Sequence, residues 1–388
     1  MSRPERILVR GVNWLGDAVM TTPALQRLRE AKPGAHIILL THEKLAGLWR
    51  EHPSIDGVLT FGADESVWSV GRRLRAENFD LAIVFPNSPR SVLEVFLARI
   101  PERIGYSRPW RNILLSRTVA NRAGVTPMRK RSVREINERI AKNVPREAFP
   151  TTAHHVHDYL HLVAAVGASA EPCPPLLRVC NEEMNAFHKR FELARGAPLF
   201  GLNPGAEYGP AKRWPQERFG EAATRLHRET RCQWLLFGGA GDRELTDEIA
   251  RALSQTIGAS NVVNTAGKLS LRELCAGLKA CAIVLTNDTG PMHVAAAVGT
   301  PVVVPFGSTS PELTGPSYAP ALPHHLIVGE AACAPCFRRE CPMDFRCMKS
   351  ISVEQVVKSV LSAWKTCPAV NFNITTPSKP ASMSGTED

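Results

Sequence analysis

The chain has 388 residues, of which 44% are apolar, 22% charged and 6% aromatic, with a formal net charge of +10. That length exceeds what one core usually spans, so two domains are expected. No run of about 18 apolar residues occurs, and the first residues lack a signal-like apolar segment. The chain is therefore expected to be soluble and cytoplasmic, with its ten cysteines reduced and an anionic partner for its charge.

Residues 7–9 read as a buried strand entering the turn Arg10-Gly11-Val12-Asn13-Trp14-Leu15-Gly16-Asp17, and an apolar-periodic helix follows (Val19, Leu25, Leu28). The turn contains no G-x-G-x-x-G, so it is not a dinucleotide fingerprint. A phosphate-binding Walker loop needs Lys after its last glycine, whereas Asp17 follows Gly16. A carboxylate there would repel phosphate. It suits a general base at the mouth of a cleft between two domains, or else a helix cap. Further strands are expected at 36–40 and 81–85, alternating with helical patterns, which predicts a parallel sheet.

From Arg99 to Arg146 there are thirteen Lys or Arg against three Asp or Glu. No nucleic-acid reader motif or aromatic platform accompanies them, so no nucleic acid is expected and an anionic membrane surface fits better, with a solvated basic face as the alternative. His154, His155 and His157 read as a solvated helix start. The stretch Glu171-Pro172-Cys173-Pro174-Pro175 looks like the approach to a linker.

A second alternation follows, with strands expected at 199–202, 233–237, 282–285 and 302–305. The third of these runs into Thr286-Asn287-Asp288-Thr289-Gly290-Pro291-Met292-His293, where a helix opens with Pro291 in its first turn and stops at Gly299 and Pro301. First-turn amides have no intrahelical partner and make a site for an anion such as a diphosphate. Thr289 and Gly290 can approach that anion, and Asp288 and His293 face the same crevice. The expected domains are 1–175 and 176–350, followed by a helix at 351–366 and a disordered polar tail at 367–388.

Three blocks, Asn13-Trp14-Leu15-Gly16-Asp17-Ala18-Val19-Met20, Asn203-Pro204-Gly205-Ala206-Glu207-Tyr208-Gly209-Pro210-Ala211-Lys212-Arg213-Trp214-Pro215 and Asn287 to His293, together resemble the ADP-heptose:lipopolysaccharide heptosyltransferase II family of glycosyltransferase family 9. The Cys-rich block from Cys333 to Cys347 looks like that family's C-terminal region. The resemblance runs from about Arg6 to Trp364 and implies a GT-B fold, an α/β architecture of two Rossmann-like domains with parallel sheets facing across a cleft. It implies an N-terminal acceptor domain, a C-terminal ADP-heptose domain, and a last helix crossing back to the first domain. It also implies transfer of L-glycero-D-manno-heptose from ADP-heptose to the first heptose of the heptosyl-Kdo-lipid A acceptor, at the inner leaflet of the inner membrane. A sibling transfer of the first or third heptose, or a non-catalytic nucleotide-binding module, remain the alternatives.

On that resemblance Asp17 is the catalytic base. Lys212 would meet the diphosphate and Asp242 the ribose hydroxyls, while Leu269 aligns with an adenine contact, although a core leucine reads as well. Glu207 would touch sugar or phosphate, and Asp288, Thr289, Gly290 and His293 complete the donor site. No Asp-x-Asp occurs, so no metal cofactor is expected in catalysis. Cys333, Cys336, Cys341 and Cys347 lie within fifteen residues and are candidates for a structural metal or for reduced, partly buried thiols.

Overall fold

The computed structural model describes residues 3–194, 196–316, 318 and 323–366. The expected disorder after residue 366 falls outside them. The first sheet is built from β1 (Arg6–Arg10), β2 (His36–His42), β3 (Gly57–Phe61), β4 (Leu81–Val84), β5 (Glu102–Tyr106) and β6 (Arg117–Val119). All its pairs are parallel, in the order β3-β2-β1-β4-β5-β6. The second sheet holds β7 (Leu199–Asn203), β8 (Gln233–Leu236), β9 (Val262–Asn264), β10 (Ile283–Thr286), β11 (Val302–Phe306) and β12 (His325–Val328). Its order is β12-β11-β10-β7-β8-β9, again all parallel.

The strands foreseen from sequence are the central ones, whose side chains are buried on both faces and therefore read as continuous apolar runs. Four of the five unforeseen strands, β3, β6, β9 and β12, are sheet edges. β3 and β9 are largely half-buried, and β6 carries Arg117 in a three-residue strand. Nothing in so short and mixed a pattern separates a strand from a loop.

In each sheet the strand order reverses once, between β1 and β4 and between β10 and β7. A crevice opens beyond the strand ends at such a switch point. Helix Leu15–Met20, leaving β1, packs directly on helix Gly290–Ala297, leaving β10, so the two switch points face each other. A Cβ added at Gly16 would lie 2.8 Å from His293 Cδ2, and one added at Gly290 would lie 3.0 Å from Leu15 Cβ. These two glycines let the helices touch. One cluster of buried apolar side chains runs unbroken from Ile7 and Val19 through Leu160 to Val284 and Met292.

Three readings are corrected here: the return of the last helix to the first domain, the solvated basic face as the alternative to a membrane surface, and the solvated histidines. Helix Val353–Thr366 does not cross to the first domain. Its stripe of Val353, Val356, Val357, Val360 and Ala363 is buried with Phe200, Trp234 and Ile283 of the second, and the Trp364 and Phe200 rings meet edge-on at 5.6 Å. The spacing of those residues gives the helix one apolar face, and the second sheet covers it.

The basic run is not a bare solvated face either. Its C-terminal part forms a strap on the second domain. Arg131 Nη1 donates to Cys333 O at 2.9 Å, Arg139 Nε to Ala332 O at 2.8 Å, and Arg146 grips Glu312 with two bonds of 2.9 and 2.8 Å. Arg129 and Arg134 pair with Glu135 and Glu138. The strap ends at His154, which is 3% exposed and so not part of a solvated helix start. Burial pushes its imidazole down to about 3, which keeps it neutral. Its Nδ1 accepts from Val156 N, so Nε2 bears the proton and donates to Gly315 O at 2.8 Å.

Candidate active site

A cavity of about 650 Å³ occupies the space between the switch points. Asp17, Glu207, Lys212, Asp242, Leu269, Asp288, Thr289, Gly290 and His293 all line it. Residues up to 276 positions apart in sequence are thus gathered on one surface.

Asp17 lies in the first turn of helix Leu15–Met20 and does not cap it, because Trp14 occupies the cap position. The N-terminal end of that helix continues β1, which aims the carboxylate across the cleft. Burial raises its pKa from 3.8 to about 6, against the opposing pull of the Lys212 ammonium. A carboxylate with that value can accept a proton near neutral pH more readily than an ordinary aspartate.

Lys212 ends a single helical turn, Pro210–Lys212, on the loop that leaves β7. Its Nζ donates to Asp288 Oδ2 at 2.7 Å. Thr309, from the loop beyond β11, donates to the same oxygen at 2.6 Å. Burial pushes the Asp288 carboxyl up, but the Lys212 charge and these two hydrogen bonds outweigh it and hold it below 3.8. His293 is buried one helical turn further on. Desolvation brings its pKa down to about 4, which leaves the ring neutral although Asp288 pulls the other way. Asn287 staples the wall: its Nδ2 donates to Pro204 O at 2.7 Å and its Oδ1 accepts from Trp214 N at 3.0 Å.

Asp242, beyond β8, accepts from Gly239 N at 3.0 Å through Oδ2, while Oδ1 lies 3.6 Å from Arg213 Nη2. Glu207 is exposed at the rim. Leu269 lines the cavity and also packs on the core.

Several cavity residues escaped the sequence reading. Thr309 was absent from it, although residues just past the carboxyl end of a parallel strand are where such crevices form. Tyr208 stacks under two cations, with Lys212 Nζ and Arg339 Cζ each 5.1 Å from its ring. Its hydroxyl donates to Phe337 O at 2.9 Å, and Ala211 N donates to Arg339 O at 2.9 Å. The Cys-rich segment is therefore a wall of the cavity. Cys333, Cys336 and Cys347 are buried and Cys341 partly so. Burial, with the neighbouring thiols Cys333, Cys336 and Cys341, pushes the Cys347 thiol up to about 12. Among the described residues no group of three or more His, Cys, Asp or Glu is arranged to hold an ion.

Comparison with known proteins agrees with this arrangement. The family model described as glycosyltransferase family 9 (heptosyltransferase) matches residues 139–346. The chain is 32% identical over 329 residues to lipooligosaccharide heptosyltransferase 2 of Haemophilus influenzae, covering 84% of this chain and 89% of that protein. It is also 32% identical over 337 residues to lipopolysaccharide heptosyltransferase 2 of Escherichia coli, with the same coverages of 84% and 89%. Among solved structures, E. coli ADP-heptose LPS heptosyltransferase II superposes with a TM-score of 0.73 at 28% identity, covering 93% of this chain and 98% of that one. An E. coli heptosyltransferase with ADP-2-deoxy-2-fluoro heptose superposes with a TM-score of 0.63 at 19% identity, with coverages of 92% and 99%, and shares the fold. The two facing parallel sheets are thus the GT-B architecture, and the chain is a glycosyltransferase belonging to family 9, the heptosyltransferases.

Proposed function

We propose that the chain transfers L-glycero-D-manno-heptose from ADP-heptose onto the first heptose of the lipopolysaccharide inner core, with inversion at the anomeric carbon. The observation that supports this most is the placement of Asp17, with its raised pKa, across one cavity from the Lys212–Asp288 pair.

The donor's diphosphate lies against Lys212 and the opening of helix Gly290–Ala297, with Asp242 toward the ribose and Leu269 toward the adenine. An acceptor hydroxyl enters from the first domain. Asp17 takes its proton as the oxygen attacks the anomeric carbon of the β-linked donor, and the carbon–oxygen bond to the diphosphate breaks. The electron pair leaves with ADP, whose developing charge is met by the Lys212 ammonium and by backbone amides. The transition state resembles an oxocarbenium ion and the new linkage is α. No metal cofactor takes part in this scheme.

The acceptor is a lipid, so the enzyme works at the cytoplasmic face of the inner membrane as a peripheral protein. No described helix is long and apolar enough to cross a membrane. The net charge of +10 favours approach to an anionic surface.

The test is transfer from ADP-L-glycero-β-D-manno-heptose, with EDTA present, to two truncated cores, one ending in Kdo and one in the first heptose. Transfer to the heptose-terminated core alone is expected. Transfer to the Kdo core alone moves the assignment to the first heptose, and dependence on a metal ion overturns the metal-free scheme.

A further inference from the structure

Arg10 ends β1, beneath the turn that leads to Asp17, yet it is 1% exposed. Its counter-charge is Glu94, which is 0% exposed on helix Pro89–Leu97. Arg10 Nε donates to Glu94 Oε2 at 2.8 Å. The other carboxylate oxygen, Oε1, accepts from Arg90 Nε at 2.8 Å, and Arg90 Nη2 also donates to Glu65 O at 2.6 Å. The Phe61 ring backs both guanidinium groups, with Arg10 Cζ at 4.2 Å and Arg90 Cζ at 5.3 Å from its centroid. The remaining edge of Arg10 reaches the turn itself. Nη1 donates to Gly11 O at 2.5 Å and to Asn13 Oδ1 at 3.2 Å.

Stability alone gives a poor account of this network. Taking two charges out of water is costly, and an apolar pair of similar volume often serves a fold as well or better. The network offers something an apolar pair lacks. A guanidinium holds its donors in a rigid plane, so one edge can be fastened to a carboxylate while another fastens a loop. The turn needs such a fastening. Residues 11–14 have no helical or strand structure, and Asn13 and Trp14 are exposed. Their other ties are few: Gly11 N donates to Leu40 O at 2.9 Å, Ala18 N donates to Trp14 O at 2.8 Å, and Lys44 Nζ lies 5.9 Å from the Trp14 ring.

We propose that Arg10, braced by Glu94, is the positioning residue for Asp17: it sets the turn 11–14 and so holds the carboxylate opposite Lys212 and Asp288. The inference rests on the reading of Asp17 as the base. Neither Arg10 nor Glu94 lines the cavity. Loss of the pair therefore acts on turnover and leaves donor affinity in place.

The test compares the full-length chain with Arg10→Lys, Glu94→Gln and the double variant Arg10→Met/Glu94→Leu. Backbone hydrogen exchange is followed at 11–17, 203–212 and 286–293, together with ADP affinity, kcat, KM and the pH profile. Exchange is expected to rise at least tenfold at 11–17 and to stay unchanged in the other two segments. The Kd for ADP stays within twofold and kcat falls at least tenfold. The acid limb of the kcat/KM profile moves below about pH 6 as water reaches Asp17. Arg10→Lys, which keeps the charge but not the fork, does not restore kcat. Unchanged exchange at 11–17, or faster exchange with full kcat, overturns the proposal. Should the double variant fail to fold, the two conservative variants give the same readouts. Should the wild-type chain show no heptose transfer, faster exchange confined to 11–17 still supports the positioning, and the failure belongs to the reading of Asp17.

Discussion

Lys212 and Asp288 meet at the second sheet's switch point with Nζ 2.7 Å from Oδ2, and both side chains are largely buried. Thr309 shares that oxygen. The ammonium is thereby held in one orientation, and on the proposed reading little reorganisation is needed when the donor's diphosphate binds.

Replacing Lys212 by Ala removes the charge from the donor site and strands a buried carboxylate. A hydrogen bond to a charged group contributes about 1.5–3 kcal/mol, so ADP affinity should fall by a factor on the order of 10–150, as calorimetry would record. Stability should fall as well, and with a defined pH dependence. Asp288 has a folded pKa below 3.8, so its contribution is present above that pH and lost as pH falls through the folded value. The difference in melting temperature between wild type and Lys212→Ala should be largest at neutral pH and shrink below about pH 3.8.

Asp17→Asn separates catalysis from binding. Loss of a general base typically costs about 10²–10⁴-fold in rate, whereas ADP affinity should change little. In the wild type kcat/KM should rise with pH through about 6 and then level, because the base works when deprotonated; the variant's residual rate should lack that limb. The linkage has the opposite sign to that of Asp288. The folded pKa is raised from 3.8 to about 6, so Asp17 costs stability as pH rises across that interval. Asp17→Asn should therefore melt higher than wild type at pH 7, and a lower melting point would count against the desolvated site.

The glycine contact between the domains makes a steric prediction. A methyl at Gly16 would lie 2.8 Å from His293 Cδ2, so Gly16→Ala must push helices Leu15–Met20 and Gly290–Ala297 apart. Overpacking of this kind costs about 1–3 kcal/mol, and it should lower kcat/KM at least tenfold by moving Asp17 from the donor. Gly220, on helix Gln216–Thr230 with nothing within 4 Å of an added Cβ, is the control. Gly220→Ala should keep full activity and gain up to about 1 kcal/mol. Equal behaviour of the two variants would remove the argument.

Arg146 and Glu312 tie the strap to the second domain by a two-pronged ion pair of low exposure, 17% and 22%. Arg146→Ala should cost about 1.5–3 kcal/mol in denaturant unfolding, with little dependence on salt. Arg134→Ala, whose partner Glu138 is its helical neighbour and whose side chain is 88% exposed, should cost well under about 1 kcal/mol.

The amino-acid sequence by itself determined the α/β class, the seven strands buried on both faces, and nine of the residues around the cavity, from Asp17 to His293. Those features are local. A fully buried strand reads as an apolar run, and the turns after β1, β7 and β10 carry their chemistry in consecutive residues such as Gly16-Asp17 and Asp288-Thr289-Gly290. What depends on a partner distant in sequence was decided by tertiary structure alone. Thr309 joins the site because β11 lies beside β10. Helix Val353–Thr366 settles on the second sheet because that sheet covers its apolar stripe. The basic run could not be read as a strap, because the charge of Arg131 and Arg146 is visible in one dimension while Cys333 O and Glu312, which answer it, lie more than 160 residues away.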